Sequence, residues 1–421
     1  MTAQIWRGDA PAIAQVVTGS VSGDDAATTY KVTINSKVVS VAGSGSGVNT
    51  TAANLVTSLK ASQIPEFLEV TWANPTGASI TGTAVKAGVP FTATLTASGG
   101  TGTVSAFSTT TANSGPSDIG LTANYVSGSL PANNDTLTIP PGTAPLLYNL
   151  TALNNVTLTT LTVMAGFTSN IGLALVNQET GTGYYEYRPT ALQIGASNTR
   201  IGDGAGTGSG LIRLDYQVVQ NNTTVLTSGS TTILGTPSIC LKGTNANNTL
   251  SVEKGDVGVA VFAGETANLA TLRVGYVQNQ ISDATLTLGT GLTLATTLDM
   301  TGGTVNCHCN LPTTTTMQAG MLTIDNSATG GTVNVYGGQF NWWSTGNVTT
   351  INGGPSNPNQ QVTIDATANV GSVTLTNCTL YTAVTFNDPD KRITFTNPVA
   401  LKAPLISMTL NLGSTFNLQR S

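Results

Sequence analysis

The residue types that bind metals most readily are concentrated in one short run of the sequence. Residues 304–311 read TVNCHCNL, and His308, the single histidine of the chain, lies there between Cys307 and Cys309. Thiolate and imidazole groups are preferred ligands of Zn²⁺, so a metal or redox site is one interpretation. In a β-strand, however, neighbouring side chains point to opposite faces. The two cysteines then share the apolar face and His308 lies on the other face. The alternation therefore predicts two buried free thiols, an outward His308 and no metal.

The other cysteines do not change this expectation. Cys240 and Cys378 are isolated in sequence and lack the CxxC spacing of metal sites. Four cysteines in 421 residues also do not form a disulfide scaffold. We expect neither a metal nor another cofactor.

A glycine-rich run at residues 202–210, GDGAGTGSG, has the composition of a phosphate-binding loop. Such loops end in Lys-Ser or Lys-Thr and open a helix. This run has no lysine, and the LIRLD that follows alternates as a strand does. A long turn is the predicted structure. Calcium binding at Asp203 stays an alternative, although the spacing of known calcium loops is missing.

Paired carboxylates would indicate a glycoside hydrolase, in which two acids lie about 5 to 9.5 Å apart. The central region offers these acids: Glu186, Asp203, Asp215, Asp256 and Glu265. A single sequence does not tell which of them are close in space, and turn capping or solvation accounts for isolated acids. We therefore expect a non-enzymatic protein and keep a polysaccharide-degrading enzyme as the alternative.

Two aromatic segments are candidates for intermolecular contacts. In QFNWW, Phe340 and Trp342 would face the core and Trp343 would face outward, to stack on a sugar or enter a subunit interface. His308 is a candidate for the same kinds of contact. In IWRGDA near the N-terminus, Trp6 and Arg7 would anchor an arm on a neighbouring protein. We interpret the integrin-type tripeptide in this segment as a coincidence.

Composition restricts the class of protein. Charged residues make up only 8% of the chain, which is rich in Gly, Thr, Ser and Asn and has a net charge of −5. This composition favours many short strands joined by tight turns. No Lys/Arg cluster suits a nucleic acid, so we expect no nucleic-acid partner. No apolar run reaches the roughly 18 residues of a membrane span. The start of the chain lacks a signal-peptide pattern, which predicts synthesis in the cytoplasm.

Periodicity predicts three regions. Residues 1–98 read as a small α+β domain: a hairpin around Asn35-Ser36, a helix in NTTAANLVTSLKAS capped by Asn49 or Thr50, then about three strands. Residues 99–135 read as a Gly/Ser/Thr-rich connector. Residues 136–421 hold short apolar pairs such as Leu286/Leu288, separated by turn residues. Sandwiches or a parallel β-helix would explain them, and we favour a long right-handed parallel β-helix.

Several segments resemble phage proteins. TGSVSGDDAATTYKVTINSKVVSV, NTTAANLVTSLKAS and ITGTAVKAGVPFTATLT resemble a small domain of phage tail and other virion-associated proteins, with Ser36 at a usual glycine position. YYEYRPTALQIG, IGDGAGTGSGLIRLD and KGDVGVAVFAGETANLATLRVG resemble segments of β-helical proteins encoded by phages and prophage-like regions.

These resemblances imply a structural protein of a bacteriophage virion. Its first domain would attach it to capsid or tail proteins, and its β-helix would project as a capsid decoration, a spike or a tail-associated part. Analogy with phage spikes implies a homotrimer, and host surface polysaccharide is a further candidate partner. The alternatives are a polysaccharide-degrading tailspike enzyme and a host-surface adhesin.

Overall fold

Two sets of strands follow one another along the chain, an antiparallel set and then a much longer parallel set. The computed structural model describes residues 2–352, apart from 179–182, 204–209, 228–235, 276–283, 345 and 347, and the backbone of the strands beyond residue 352. Strands hold 47% of the residues and helices 7%, so the chain is mainly β, as predicted. None of the helices in the described part is long and apolar enough to cross a lipid bilayer.

The first part of the chain combines short strands with two helices. Its elements are β1 Ala3–Ile5, β2 Val16–Gly23, β3 Thr29–Ile34, β4 Lys37–Ala42, α1 Val48–Ala61, α2 Pro65–Leu68, β5 Val70–Ala73, β6 Ser79–Ala84, β7 Thr94–Ser98, β8 Thr103–Thr111 and a 3₁₀ turn at Thr122–Asn124. They form one antiparallel sheet in the order β5-β6-β2-β8 and another in the order β4-β3-β7. Strand β8 lies in the segment 99–135 expected to be a connector, so the first sheet extends to Thr111.

The predicted hairpin is present in the predicted register. Val32 lies opposite Val39 and Tyr30 opposite Val41. The turn residues Asn35 and Ser36 both have positive φ, 49° and 65°, which is the backbone of a type I′ turn.

The helix begins slightly earlier than its predicted cap. Its N-cap is Gly47, whose side chain makes no capping bond. Asp24 fixes the start of the helix in another way, because its carboxylate accepts the Gly47 N–H at 2.8 Å and the Thr51 hydroxyl at 2.6 Å. The helix buries Leu55 and Leu59, as the apolar spacing predicts, in a first core.

The second part consists of short strands. These are β9 Thr136–Ile139, β10 Thr157–Val163, β11 Val176–Asn177, β12 Tyr184–Tyr185, β13 Leu192–Gln193, β14 Gly195–Ile201, β15 Ile212–Asp215, β16 Asn222–Leu226, β17 Ile239–Lys242, β18 Thr249–Val259, β19 Ala267–Val274, β20 Ala284–Leu288, β21 Leu292–Met300, β22 Thr304–Cys307, β23 Thr314–Met317, β24 Met321–Ile324, β25 Gly330–Val335, β26 Gln339–Trp342, β27 Val348–Gly353, β28 Val362–Asp365, β29 Val373–Thr376, β30 Thr379–Leu380, β31 Val384–Asp388, β32 Ile393–Thr396, β33 Ala400–Leu401 and β34 Met408–Leu412.

Strands β11 and β12 pair with each other in a separate antiparallel hairpin. The other strands form a long parallel sheet in which successive strands alternate between two ladders. The first ladder runs β9, β10, β14, β16, β18, β19, β21, β23, β25, β27, with β29 and β30 and then β32 and β33 beyond it. The second runs β13, β15, β17, β18, β20, β22, β24, β26, β28, β31, β34. Strand β18 belongs to both ladders and connects them. Strand β1, which precedes the antiparallel sheets in sequence, pairs in parallel with β9, the first strand of the first ladder.

Apolar side chains from successive strands form continuous columns inside the sheet. Leu288, Cys307, Ile324 and Trp342 occupy equivalent positions in four successive strands of the second ladder, and all four are buried. Equivalent columns join residues from Trp6 to Ile351 into one second core. Because side chains alternate between the two faces of each strand, parallel strands in register place their apolar side chains above one another in layers.

The outer face of the first ladder carries columns of short polar side chains. Thr297, Thr314, Thr332 and Thr350 are in register on four successive strands. In the adjacent column, the Asn352 amide donates to the Asn334 side chain at 2.9 Å. From β23 to β27 these two columns are uncharged and present hydroxyl and amide groups at the strand spacing, whereas β21 contributes Asp299. We call the two columns from β23 to β27 the Thr/Asn face.

Candidate functional site

The Cys-His-Cys run is part of the core, as the alternation predicts. Cys307 is 0% exposed and Cys309 4% exposed, both are reduced, and their sulfur atoms lie 3.6 Å apart. The hydrogen bond with Cys309, together with burial, holds the pKa of the Cys307 thiol well above its usual range. A protonated, buried thiol is a poor nucleophile and a poor ligand.

Strand β22 ends at Cys307, so it is shorter than the alternation through Leu311 predicted. His308 follows the strand directly and pairs with a carboxylate. Its Nδ1 atom is 2.6 Å from Oδ1 of Asp325, and each side chain is about one third exposed, 33% and 35%. The two residues follow β22 and β24, which are paired neighbours, so they occupy adjacent levels of one ladder. The outward position of His308 is confirmed, but sequence reasoning missed Asp325. The sequence does contain an indication of this pair. Cys307 and Ile324 occupy equivalent core positions, and His308 and Asp325 are the residues that directly follow them.

The aromatic run at the end of β26 and directly after it divides between core and surface. Phe340 and Trp342 are fully buried, as predicted. Trp343 is half-buried, and its backbone N–H donates to Ile324 at 2.7 Å. It therefore continues the column of His308 and Asp325 one level further. Its indole N–H is buried without a hydrogen-bond acceptor, so the ring presents less surface than a fully outward residue would.

Trp6 and Arg7 do not form a free N-terminal arm. Trp6 is 0% exposed, packs edge-on against Tyr125 with ring centres 5.5 Å apart, and donates its indole N–H to Ala144 O at 2.8 Å. Its indole is thus enclosed by this chain and cannot also contact a neighbour. Arg7 is half-exposed and its guanidinium forms an ion pair with Asp9 at 2.5 Å.

The acids singled out in the sequence separate into different surroundings. Asp215 and Glu265 meet at Lys242, whose Nζ atom lies 3.6 and 3.7 Å from their carboxylates. The cavity that Lys242 helps to line measures about 20 Å³, which is room for a single water molecule. In the described part of the chain, no group of three or more His, Cys, Asp or Glu side chains is arranged to hold a metal. Residues 204–209 of the predicted glycine-rich turn, which follow Asp203, lie outside the described residues.

Glu186 belongs to a buried polar cluster that joins the two parts of the protein. Its centre is Arg188, whose Nε donates to Glu186 at 2.8 Å and whose NH2 group donates to Tyr184 at 2.8 Å and to Glu69 at 3.2 Å. The Tyr184 hydroxyl donates to Glu69. Asn177 donates to Glu186 at 3.0 Å. We call these five residues the Arg188 cluster.

The cluster positions the β11–β12 hairpin against the first part of the chain. Glu69 comes from the segment between α2 and β5, whereas the other members lie on the hairpin or directly after it. The Arg188 NH1 group also donates to Pro90 O at 3.0 Å, and its guanidinium lies 4.9 Å from the centre of the Tyr187 ring. Arg188 thus joins the segment after the β11–β12 hairpin to two loop segments of the first part of the chain.

The two carboxylates of the Arg188 cluster respond differently to burial. Burial raises the pKa of Glu69, because one long bond from Arg188 and one from Tyr184 do not offset desolvation. Burial would raise the pKa of Glu186 too, but hydrogen bonds and the charge of Arg188 lower it below the usual range. The two pKa shifts have opposite signs because Glu186 accepts more hydrogen bonds than Glu69. It also accepts the backbone N–H groups of Tyr187 and Arg188.

Beside the cluster lies a cleft of about 350 Å³ between the two parts of the protein. We call it the junction cleft, and its lining residues are Pro90, Thr92, Asn113, Asp118, Leu147, Tyr148, Asn149, Thr151, Arg188 and Pro189. Sequence reasoning missed it, because its walls come from four separate segments and no local motif marks any of them.

Asp118 is the buried acid of the junction cleft. It is 6% exposed and accepts the Gly120 N–H at 2.8 Å. Burial raises its pKa despite this bond and hydrogen bonds with the Asn149 and Asn113 side chains. The side-chain oxygen of Asn113 is buried without a hydrogen-bond donor. The cleft therefore combines a desolvated carboxyl with an unsatisfied acceptor.

Comparison of the chain with protein-family models, with curated proteins and with solved structures finds no match. The function has to be inferred from the residues and geometry described above.

Proposed function

We propose that the protein is a structural component of a bacteriophage virion whose second part winds as a right-handed parallel β-helix. The observation that carries this proposal is the regular alternation of successive strands between two parallel ladders. A chain that returns to the same ladder at every second strand is expected to coil, and each coil contacts only its neighbours. At about 4.8 Å per level, the first ladder from β9 to β32 would extend over roughly 50 Å.

The surface supports a role in assembly rather than in chemistry. The Thr/Asn face offers short, uncharged side chains, which lose little conformational entropy when a flat surface covers them. Lateral packing of these faces is one way in which three copies would form the expected homotrimer. The acids Asp215 and Glu265 are bridged by Lys242 beside a cavity too small for a sugar. Polysaccharide cleavage therefore ranks second, and the adhesin alternative third.

The first part of the chain would attach the protein to the particle. Trp6 is enclosed within the chain, so we assign attachment to the domain surface and not to an N-terminal arm. Capsid decoration, spike and tail-associated protein stay the alternatives for its place on the virion.

Imaging of purified phage particles labelled with an antibody against this chain tests the proposal. Label at a fixed position on capsid or tail is the expected result. Mass measurement in solution should give three times the 42.8 kDa chain. Particles that lack the protein while infected cells contain it would refute a virion role. Release of reducing ends from host capsule would favour the enzyme alternative.

A further inference from the structure

We propose that the junction cleft binds one or two units of a neutral saccharide. The proposal rests on the size, lining and charge of the cleft and does not depend on the virion assignment. It places sugar recognition at the boundary between the two parts of the protein, away from Trp343.

The cleft has a suitable volume and a firmly held shape. Its 350 Å³ lies at the lower end of the roughly 300 to 1,000 Å³ of small-molecule sites. Arg188 fixes one wall through its bonds to Glu69, Glu186 and Pro90. On another wall Gly120 leaves room for Asn149, because a Cβ atom at Gly120 would come within 2.2 Å of the Asn149 amide nitrogen.

The polar lining suits a ligand that carries several hydroxyl groups. Asp118 and Asn113 contribute a carboxyl and an amide to the lining. Thr92, Thr151 and Asn149 add groups that both donate and accept.

The apolar lining is complementary to the other face of a sugar. Pro90, Pro189 and Leu147 contribute carbon surface beside the ring of Tyr148. Pyranose rings present C–H groups on one face and hydroxyl groups at their edges. Such a ligand matches a cleft in which a few convergent polar groups interrupt an apolar wall.

Charge favours a neutral ligand over an acidic one. The guanidinium of Arg188 is the cation of the lining, and it is already bonded to Glu69, Glu186, Tyr184 and Pro90. Asp118 adds a negative group that is nearly buried. A phosphate or uronic acid would therefore face the negative charge of Asp118 and a guanidinium that is already bonded to other groups.

Saturation-transfer NMR and calorimetry on the full chain test the proposal. The probes are D-glucose, D-galactose and N-acetyl-D-glucosamine, with D-glucuronate as the acidic comparison. The cleft variants are Thr92→Val, at an exposed lining position, and Asn113→Ala. The control is Trp343→Ala, which removes the alternative sugar-stacking residue predicted from the sequence. Unfolding midpoints of all variants report whether each is folded.

At least one neutral probe should bind saturably, and glucuronate should bind more weakly. Each cleft variant should weaken that binding by roughly three- to tenfold, the effect of one lost hydrogen bond, whereas Trp343→Ala should leave it unchanged. Equal binding by folded Thr92→Val and the native chain would overturn the proposal. Loss of binding in Trp343→Ala, or no saturable binding of any neutral probe, would overturn it too.

Discussion

The Arg188 cluster makes the strongest prediction about stability. Replacement of Arg188 by Met keeps the length of the side chain but removes the cation. Glu186 and Glu69, whose side chains are 1% and 9% exposed, would then stay buried without their partner. Removal of one member of a buried ion pair costs about 3 to 5 kcal/mol. We expect the lower half of this range, because the raised pKa of Glu69 lets that carboxyl take up a proton.

The measurement is urea unfolding followed by tryptophan fluorescence, since Trp72 lies in the first core and Trp342 in the second. Arg7→Met is the matched control, because it removes the same cation from an ion pair that is half-exposed, 51% and 52%. Exposed pairs contribute less than about 1 kcal/mol. The triple variant Arg188→Met/Glu69→Gln/Glu186→Gln should regain part of the loss, since it leaves no buried charge.

The pH dependence gives a second readout of the same reasoning. Unpaired carboxylates can be neutralised by protonation, so the cost of Arg188→Met should shrink between about pH 7 and pH 4. A loss no larger than that of Arg7→Met at neutral pH would refute the assignment of Arg188 as the residue that joins the two parts. So would a triple variant less stable than Arg188→Met alone.

Three further predictions concern single positions. Ser36→Gly should stabilise the protein by about 0.5 to 1 kcal/mol, because Ser36 has φ 65°, which L-residues other than glycine adopt at a cost; a lower urea midpoint than native would contradict this. Cys307→Ser should destabilise by about 1 to 3 kcal/mol, because it buries a hydroxyl among apolar side chains, and native-like unfolding would argue against the core position. Burial raises the folded-state pKa of Asp118, so the native chain loses stability as pH rises through that pKa. The Asp118→Asn variant has no carboxyl at this position and lacks this loss. The stability of the variant relative to the native chain should therefore improve between about pH 3 and pH 7. A difference in urea midpoint that stays constant over this range would contradict the prediction.

The local parts of the fold were predictable from the sequence. Alternation over TYKVTI and KVVSVA gave the hairpin register, because period-2 burial and a two-residue turn leave one solution. The same alternation placed Cys307 inside and His308 outside. The spacing of Leu55, Val56 and Leu59 gave the buried face of α1.

Contacts between distant segments were not predictable from one sequence. To predict Asp325 as the partner of His308, one would need to know how many residues separate successive strands of the ladder. That number varies along the chain. Trp6 looked like an exposed anchor, because nothing near it in sequence shows that Tyr125 and Ala144 enclose it. The junction cleft and the Arg188 cluster depend on how two sheets meet, and alternation within a strand carries no information about that.

The pairing of β1 with β9 has a consequence for how the protein folds during synthesis. Ala3 pairs with Thr136, so during synthesis β1 waits for a partner made more than a hundred residues later. At about 5 to 20 residues per second, this wait lasts roughly 7 to 27 seconds. The antiparallel sheets and α1 lie between these two strands and have time to form first. Trp6 cannot reach its final contacts with Tyr125 and Ala144 until those residues have been made.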